Sequence, residues 1–241
     1  MPENESAIIL AIDLGTCGPK VSLVKGTSEV LATGFAPTPL ILTDDGGIEQ
    51  DGEGWWTAVV EATRLAFGAA PDGTPKPSAV AVTAQWTTTI PVDENADPVM
   101  NAISWMDGRG AGPAYRAVGP APRVSGYNPR KLKKWIQMTA GAPSLQGHDP
   151  VGQILTIAER YPDAYARTAF FLEPGDFLTA RLTGNIVTAP ETATMCWGTD
   201  TRDVDNIQYN DKLLAMSGLN PSKLAPIVPS GSVIGEVLPE R

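Results

Sequence analysis

Ile8-Ile9-Leu10-Ala11-Ile12-Asp13-Leu14-Gly15-Thr16-Cys17-Gly18-Pro19-Lys20 is the stretch on which the reading of this chain turns. Residues 7–12 form an apolar run without alternation, the pattern of a strand buried on both faces. Residues 13–19 then supply Gly, Pro and Thr, a tight turn. Apolar character resumes at 21–24 and 30–35, so these segments read as strands of an antiparallel meander. Gly15 and Gly18 permit positive φ and the close approach of a ligand. Successive N–H groups in such a turn can face a phosphate. Thr16 adds a hydroxyl, Lys20 a point charge, and Asp13, at the strand's end, can hold Mg²⁺ through water. By residue type alone, the same residues read first as an ordinary hairpin turn.

Outward from this stretch, residues 37–54 are polar and turn-rich, and Asp51 is placed to cap a helix over 52–67. Trp56, Val59, Val60, Thr63 and Phe67 would share its buried face. Strands are expected at 80–83, 88–92 and 102–105, with a turn at 93–97. Strands, then a helix, then strands make a mixed α/β arrangement. The second half reads differently. Helices are expected over 130–139, 151–160 (with Ile154, Leu155 and Ala158 as its apolar stripe), 175–182 and 211–216. Gly184 would close the third of them. Residues 170–172 are a short apolar run, and the Pro- and Gly-rich 117–129 reads as a mobile loop.

Three further clusters could carry chemistry. Gln50, Trp55 and Trp56 belong either to a sugar pocket or to a capped helix whose tryptophans fill a core. Gln85, Trp86 and Thr87 lie between two expected strands, where polar groups can face a cleft. Gln85 and Thr87 can bond sugar hydroxyls and Trp86 can stack on a sugar face, or the three form a plain polar turn. Trp105, Asp107 and Arg109 follow a strand. The last two either grip hydroxyls or make a surface ion pair worth under about 1 kcal/mol.

The totals limit the alternatives. The 241 residues carry 42% hydrophobic and 19% charged residues, an ordinary globular balance. A net charge of -9 argues against nucleic acid or an anionic membrane as partner. Two cysteines and the single His148 suit neither a disulfide scaffold nor a His-rich metal site. The chain has no P-loop, no G-x-G-x-x-G after a strand and no G-x-S-x-G elbow. Met1-Pro2-Glu3-Asn4-Glu5-Ser6 is polar and acidic, unlike a signal peptide, so a cytoplasmic location is expected.

Taken in order, the clusters resemble the FGGY carbohydrate kinase family, most closely its xylulokinase-like branch. The family pattern D-(L/I)-G-T-(S/T)-x-x-(K/R) appears here as Asp13 to Lys20, and E-Q-D-P-E-x-W-W as Glu49 to Trp56. G-Q-x-x-G corresponds to residues 84–88, and I-x-W-x-D-x-R to Ile103 through Arg109. P-x-D-Y-L with a later L-T-G corresponds to Pro174 through Gly184, and Gly235-Glu236-Val237-Leu238 looks like the family's close of this region.

The resemblance implies a ribonuclease-H-like, actin-like ATPase fold with a mixed central sheet and flanking helices, here as one sugar-side domain over 1–241. It implies transfer of the γ-phosphate of ATP, with Mg²⁺, to a hydroxyl of a sugar or polyol, a pentulose such as xylulose first. Asp13, Gly15, Thr16 and Lys20 would face phosphates and metal. Gln85, Trp86, Thr87, Trp105 and Asp107 would face the sugar. Partners are then the small sugar or polyol and ATP, with a homodimer compatible. Two departures stand out: Trp86-Thr87 replaces the Met-His of xylulokinases and the Arg-Glu of glycerol kinases, and Cys17 replaces a Ser or Thr. The family's base, an Asp in G-G-x-D-(N/Q), and its ATP-binding domain are expected beyond Arg241. The isolated chain is therefore expected to be inactive. A non-catalytic sugar-binding module and a different actin-like ATPase are the alternative readings.

Overall fold

A computed structural model of the chain describes residues 7–239. The polar opening Met1–Ser6, and Glu240 and Arg241 at the other end, lie outside the described residues. Along the chain run β1 (Ile8–Gly15), β2 (Gly18–Lys25), β3 (Val30–Phe35), β4 (Ile41–Leu42), β5 (Ile48–Gln50), α1 (Gly52–Ala69), β6 (Ala79–Ala84), β7 (Ile90–Val92) and β8 (Ala102–Ile103). There follow α2 (Ala111–Ala117), α3 (Pro129–Thr139), α4 (Pro150–Arg160), α5 (Pro162–Arg167), β9 (Phe170–Leu172) and α6 (Pro174–Thr183). Last come α7 (Pro190–Ala193), β10 (Thr199–Asp200), β11 (Gln208–Tyr209) and α8 (Asp211–Ser217). Two compact units result. One takes the chain up to Leu40 together with Gln50–Gln85, and the other takes Ile41–Glu49 together with Trp86 onward.

The first unit is a four-stranded sheet in the order β3-β2-β1-β6. The expected antiparallel meander is β1–β2–β3. β6 joins parallel to β1, which requires the long crossover that α1 provides. Ile8, Ile12 and Leu14 of β1 are buried with Val21 and Leu23 of β2, but Ile9 and Ala11 on the other face of β1 are only half-buried, so the run is buried on one face and not on both as expected. Asp51 caps α1 as expected, its side chain accepting from the Glu53 N–H.

The buried face of α1 differs from expectation. It is Gly52, Trp55, Ala58, Val59, Ala62 and Ala66, while Phe67 stands in solvent. The cause lies in β3. A Cβ added at Gly34 would come within 2.0 Å of the Ala62 carbonyl oxygen and 2.7 Å of the Ala66 nitrogen. Helix and strand thus meet backbone to backbone, and only small side chains fit between them. Of the wide apolar side chains of α1, Leu65 and Phe67 stand in solvent, while Trp55 stays buried.

The second unit packs helices around small sheets, β4-β5-β8, β7-β9 and β10-β11. One core cluster joins Ile103, Val151, Ile154, Ile157, Phe171, Cys196, Leu214 and Leu219. Another joins Val118, Trp135, Met138 and Leu213. Of the expected stripe of α4 only Ile154 is fully buried, Leu155 and Ala158 being half-buried, while residues 151–153, 156 and 157 are buried too, so the helix runs through the interior. Gly184 closes α6 at φ +76°, as expected of a left-handed cap. The 117–129 segment is tied down locally. The Asn128 N–H donates to the Val118 carbonyl, and the Arg123 guanidinium donates to the Gly119 carbonyl. α2 and α5 are short, and no apolar periodicity announces them. Among the described residues no helix is long and apolar enough to cross a membrane.

Candidate active site

In the first unit, pairing Gly15 with Gly18 leaves Thr16-Cys17 as a two-residue turn. Asp13 and Lys20 are direct cross-strand partners just before and after it, and both are exposed. Only one of the two glycines has the conformation expected of both. Gly18 has φ +135°, and a Cβ there would lie 2.1 Å from the Ala36 carbonyl oxygen, so its glycine is required by the passing chain. Gly15 lies outside the positive-φ region, and an added Cβ would make an ordinary 3.5 Å contact.

The turn is braced by a closed ring of side-chain bonds. Thr16 Oγ1 donates to Gln85 Oε1 (2.6 Å), Gln85 Nε2 donates to Gln50 Oε1 (2.6 Å), and Gln50 Nε2 donates to the Thr16 carbonyl (3.0 Å). β6 delivers Gln85 there because it runs beside β1, ending with the Gln85 N–H on the Leu14 carbonyl at 2.7 Å. Gln50 is fully buried. Both glutamines therefore hold the turn. The described residues contain no group of three or more His, Cys, Asp or Glu that could hold a metal. Mg²⁺ is commonly held by one or two carboxylates plus phosphate oxygens and waters. A single exposed carboxylate at Asp13 fits that mode.

In the second unit, Trp86 (65% exposed) and Trp105 (42% exposed) stand on adjoining segments. Thr89 and Ile103 exchange both backbone bonds, and the Trp105 N–H donates to Thr88 Oγ1 at 3.2 Å. Thr87 Oγ1 donates to the His148 carbonyl at 2.6 Å, which brings a third segment to the same rim, where His148 is exposed. Two buried side chains lie beneath. Gln153 bonds Thr87, Thr89, Ser104 and His148, and Glu173 Oε2 accepts from the Thr88 N–H at 3.0 Å. Neither Gln153 nor Glu173 had been singled out. A polar residue inside an amphipathic helix reads as solvent-facing, and a Glu before Pro174 reads as a helix cap.

Asp107 lies apart from that exposed rim. It is fully buried, with Oδ1 accepting from the Arg109 N–H (2.8 Å) and Nε, and Oδ2 accepting from the Ile48 N–H (2.8 Å) and Arg109. Arg109 also donates to Glu49 Oε1 (2.7 Å) and to the Tyr161 hydroxyl (2.8 Å), and lies 3.4 Å from Asp45. The pair is thus an interior one, where the sequence suggested a surface alternative. A substrate hydroxyl could bond Asp107 only by displacing one of these donors. Burial works against the Arg109 charge, but its bonds to Asp107 and Glu49 outweigh burial and hold its pKa above the usual value. Asp45, open to solvent, is lowered to about 2, first by the Thr43 hydroxyl and further by Arg109.

A model of the FGGY family of carbohydrate kinases, N-terminal domain, matches residues 8–241. The chain belongs to the FGGY family. A curated xylulose kinase from Streptomyces rubiginosus is 29% identical over 240 residues, covering 98% of this chain and 46% of that protein. The crystal structure of xylulose kinase from Rhodospirillum rubrum superposes with a TM-score of 0.83 at 20% identity, over 97% of this chain and 45% of that one. Plasmodium falciparum glycerol kinase, solved with ADP, gives 0.81 at 20% identity, over 97% and 45%. The fold is therefore that of the actin-like sugar kinases, and the family likeness is xylulokinase-like. This FGGY chain spans about half the length of the relatives it matches.

Proposed function

We propose that this chain is the sugar-side portion of an ATP-dependent carbohydrate kinase that phosphorylates a hydroxyl of a sugar or polyol, with a pentulose as the first substrate to test. The observation that carries this reading is the braced turn between the exposed Asp13 and Lys20. Lys20 and the N–H groups near Gly15 and Thr16 are suited to phosphate oxygens, and Asp13 to the hydration shell of Mg²⁺. Mg²⁺, when bound, would offset charge on the transferred phosphoryl group. Gln85 keeps Thr16 in place. Trp86 and Trp105 offer apolar faces to a sugar ring or chain, Thr87 a hydroxyl, and Asp107 acts by fixing the segment after Trp105. No residue of this chain is assigned as the general base. A cytoplasmic site of action, where ATP is available, goes with this reading.

The test is ADP release by the natural protein that contains this chain, with ATP and Mg²⁺, across pentuloses, gluconate and glycerol. Sugar-dependent release supports the proposal. Release without sugar would make the protein an ATPase, and sugar binding without release a binding module. In the active protein, Asp13→Ala is expected to lower kcat about 100-fold or more while sugar affinity changes less than about threefold. Equal losses in both would point to folding damage.

A further inference from the structure

We propose that Gln153 is the positioning residue that fixes the sugar-facing rim of the second unit; this rests on the functional reading above. The three segments that meet there present backbone carbonyls toward one another. Thr87, Ser104 and His148 each direct a C=O at the Gln153 amide nitrogen, at 2.8, 3.3 and 3.4 Å. Carbonyl oxygens brought together repel, and each buried one needs a donor. The two N–H donors of one amide are shared among the three, the His148 carbonyl also accepting from the Thr87 hydroxyl, and Gln153 Oε1 is held in turn by the Thr89 hydroxyl at 2.6 Å. The side chain is 1% exposed and sits on the interior helix α4. A glutamine there is costly to desolvate unless its bonding capacity is filled, as it is here.

The carbonyls that Gln153 gathers belong to the segments carrying Trp86, Thr87, Trp105 and the exposed His148. Gln153 has no route to a ligand itself, because its amide is spent on the backbone. It acts by setting the spacing of residues that would touch the sugar. Misplacement of about 1 Å in such residues is enough to impair a reaction strongly.

The experiment compares Gln153→Met with Thr156→Val in the natural protein containing this chain. Thr156 is equally buried on the same helix, and its hydroxyl bonds the Gly152 carbonyl within that helix. Gln153→Met is expected to raise sugar KM about tenfold or more, with ATP KM unchanged and kcat within about threefold. Thr156→Val should lower Tm and leave sugar KM within about twofold. Should Gln153→Met not fold, Thr89→Val removes only the anchor of Gln153 Oε1 and is expected to raise sugar KM about threefold. A fall in Tm with sugar KM unmoved in the folded variant, or an equal rise in Thr156→Val, overturns the proposal. If the wild type shows no sugar-dependent turnover, the functional reading fails instead. Amide hydrogen exchange then decides: Gln153→Met should accelerate exchange at Thr88 and Trp105 at least about tenfold more than along α4, and uniform acceleration overturns the positioning role.

Discussion

Arg109→Leu is expected to remove about 3–5 kcal/mol from the stability of the unit that holds it. The Arg109, Asp107 and Glu49 side chains are only 3%, 0% and 8% exposed. Their mutual bonds offset the cost of taking three charges out of water. Deleting the cation leaves two carboxylates buried at close quarters, with Asp107 keeping backbone donors and Glu49 keeping the Asn101 amide at 3.1 Å. Arg109→Lys keeps the charge but has no planar fork to serve Asp107, Glu49 and Tyr161 together, so an intermediate loss is expected. Urea unfolding followed by circular dichroism measures both. A loss below about 1 kcal/mol for Arg109→Leu would mean that the cluster behaves as a surface ion pair.

Glu173→Gln should make the protein more stable in mild alkali. Burial comes first among the causes that push Glu173 up to about 8; the Thr88 N–H partly opposes it, and the nearby Asp176 adds to it. Burial likewise raises Asp176 to about 7, with the Thr188 hydroxyl opposing and Glu191 adding. Among the described residues Glu173 Oε1 has no hydrogen-bond partner, and both carboxyls line a cavity of about 40 Å³ with Thr188, Cys196 and Tyr209. A folded-state pKa above the unfolded one means that the folded chain holds its proton while the unfolded chain releases it. For Glu173, stability is therefore full below about pH 4.5 and is lost progressively up to about pH 8. The whole shift corresponds to a loss on the order of 5 kcal/mol. Gln cannot ionise and can still accept from Thr88. The variant should match wild type within about 1 kcal/mol at pH 4 and exceed it by about 2–4 kcal/mol at pH 8.5. A smaller slope remains from Asp176 between about pH 3.8 and 7. Melting curves across this range decide the matter; parallel pH profiles for the two proteins would sink the account.

Local signals were legible where local physics decides the outcome. The β1 run, the Asp51 cap, the Gly184 stop and the helical stretch of α4 follow from a few neighbouring residues. The family resemblance rested on residues in the same order as the elements that carry them. What could not be read depended on distant partners. The inner face of α1 is chosen by Gly34, a residue on another strand, so Ala62 and Ala66 face inward where Val60 and Phe67 were expected. Asp107 and Arg109 are interior because Glu49 and Tyr161 converge on them from more than 50 positions away. Gln153 gave no signal, since its importance lies in three carbonyls that the chain assembles only on folding. Residue type alone cannot distinguish a glutamine facing water from one facing backbone.

The distribution of the six tryptophans has an optical consequence. Trp55 and Trp135 are sealed in cores, Trp56 and Trp197 are half-buried, and Trp86 and Trp105 stand in solvent. Indoles in water emit at longer wavelength than indoles in apolar surroundings, and they are quenched more readily by acrylamide. The red edge of the intrinsic fluorescence therefore comes mainly from the two adjoining segments that hold Trp86 and Trp105, and the blue edge from the interiors. The molecule carries an unlabelled gauge of whatever settles on those segments, readable separately from the integrity of its cores.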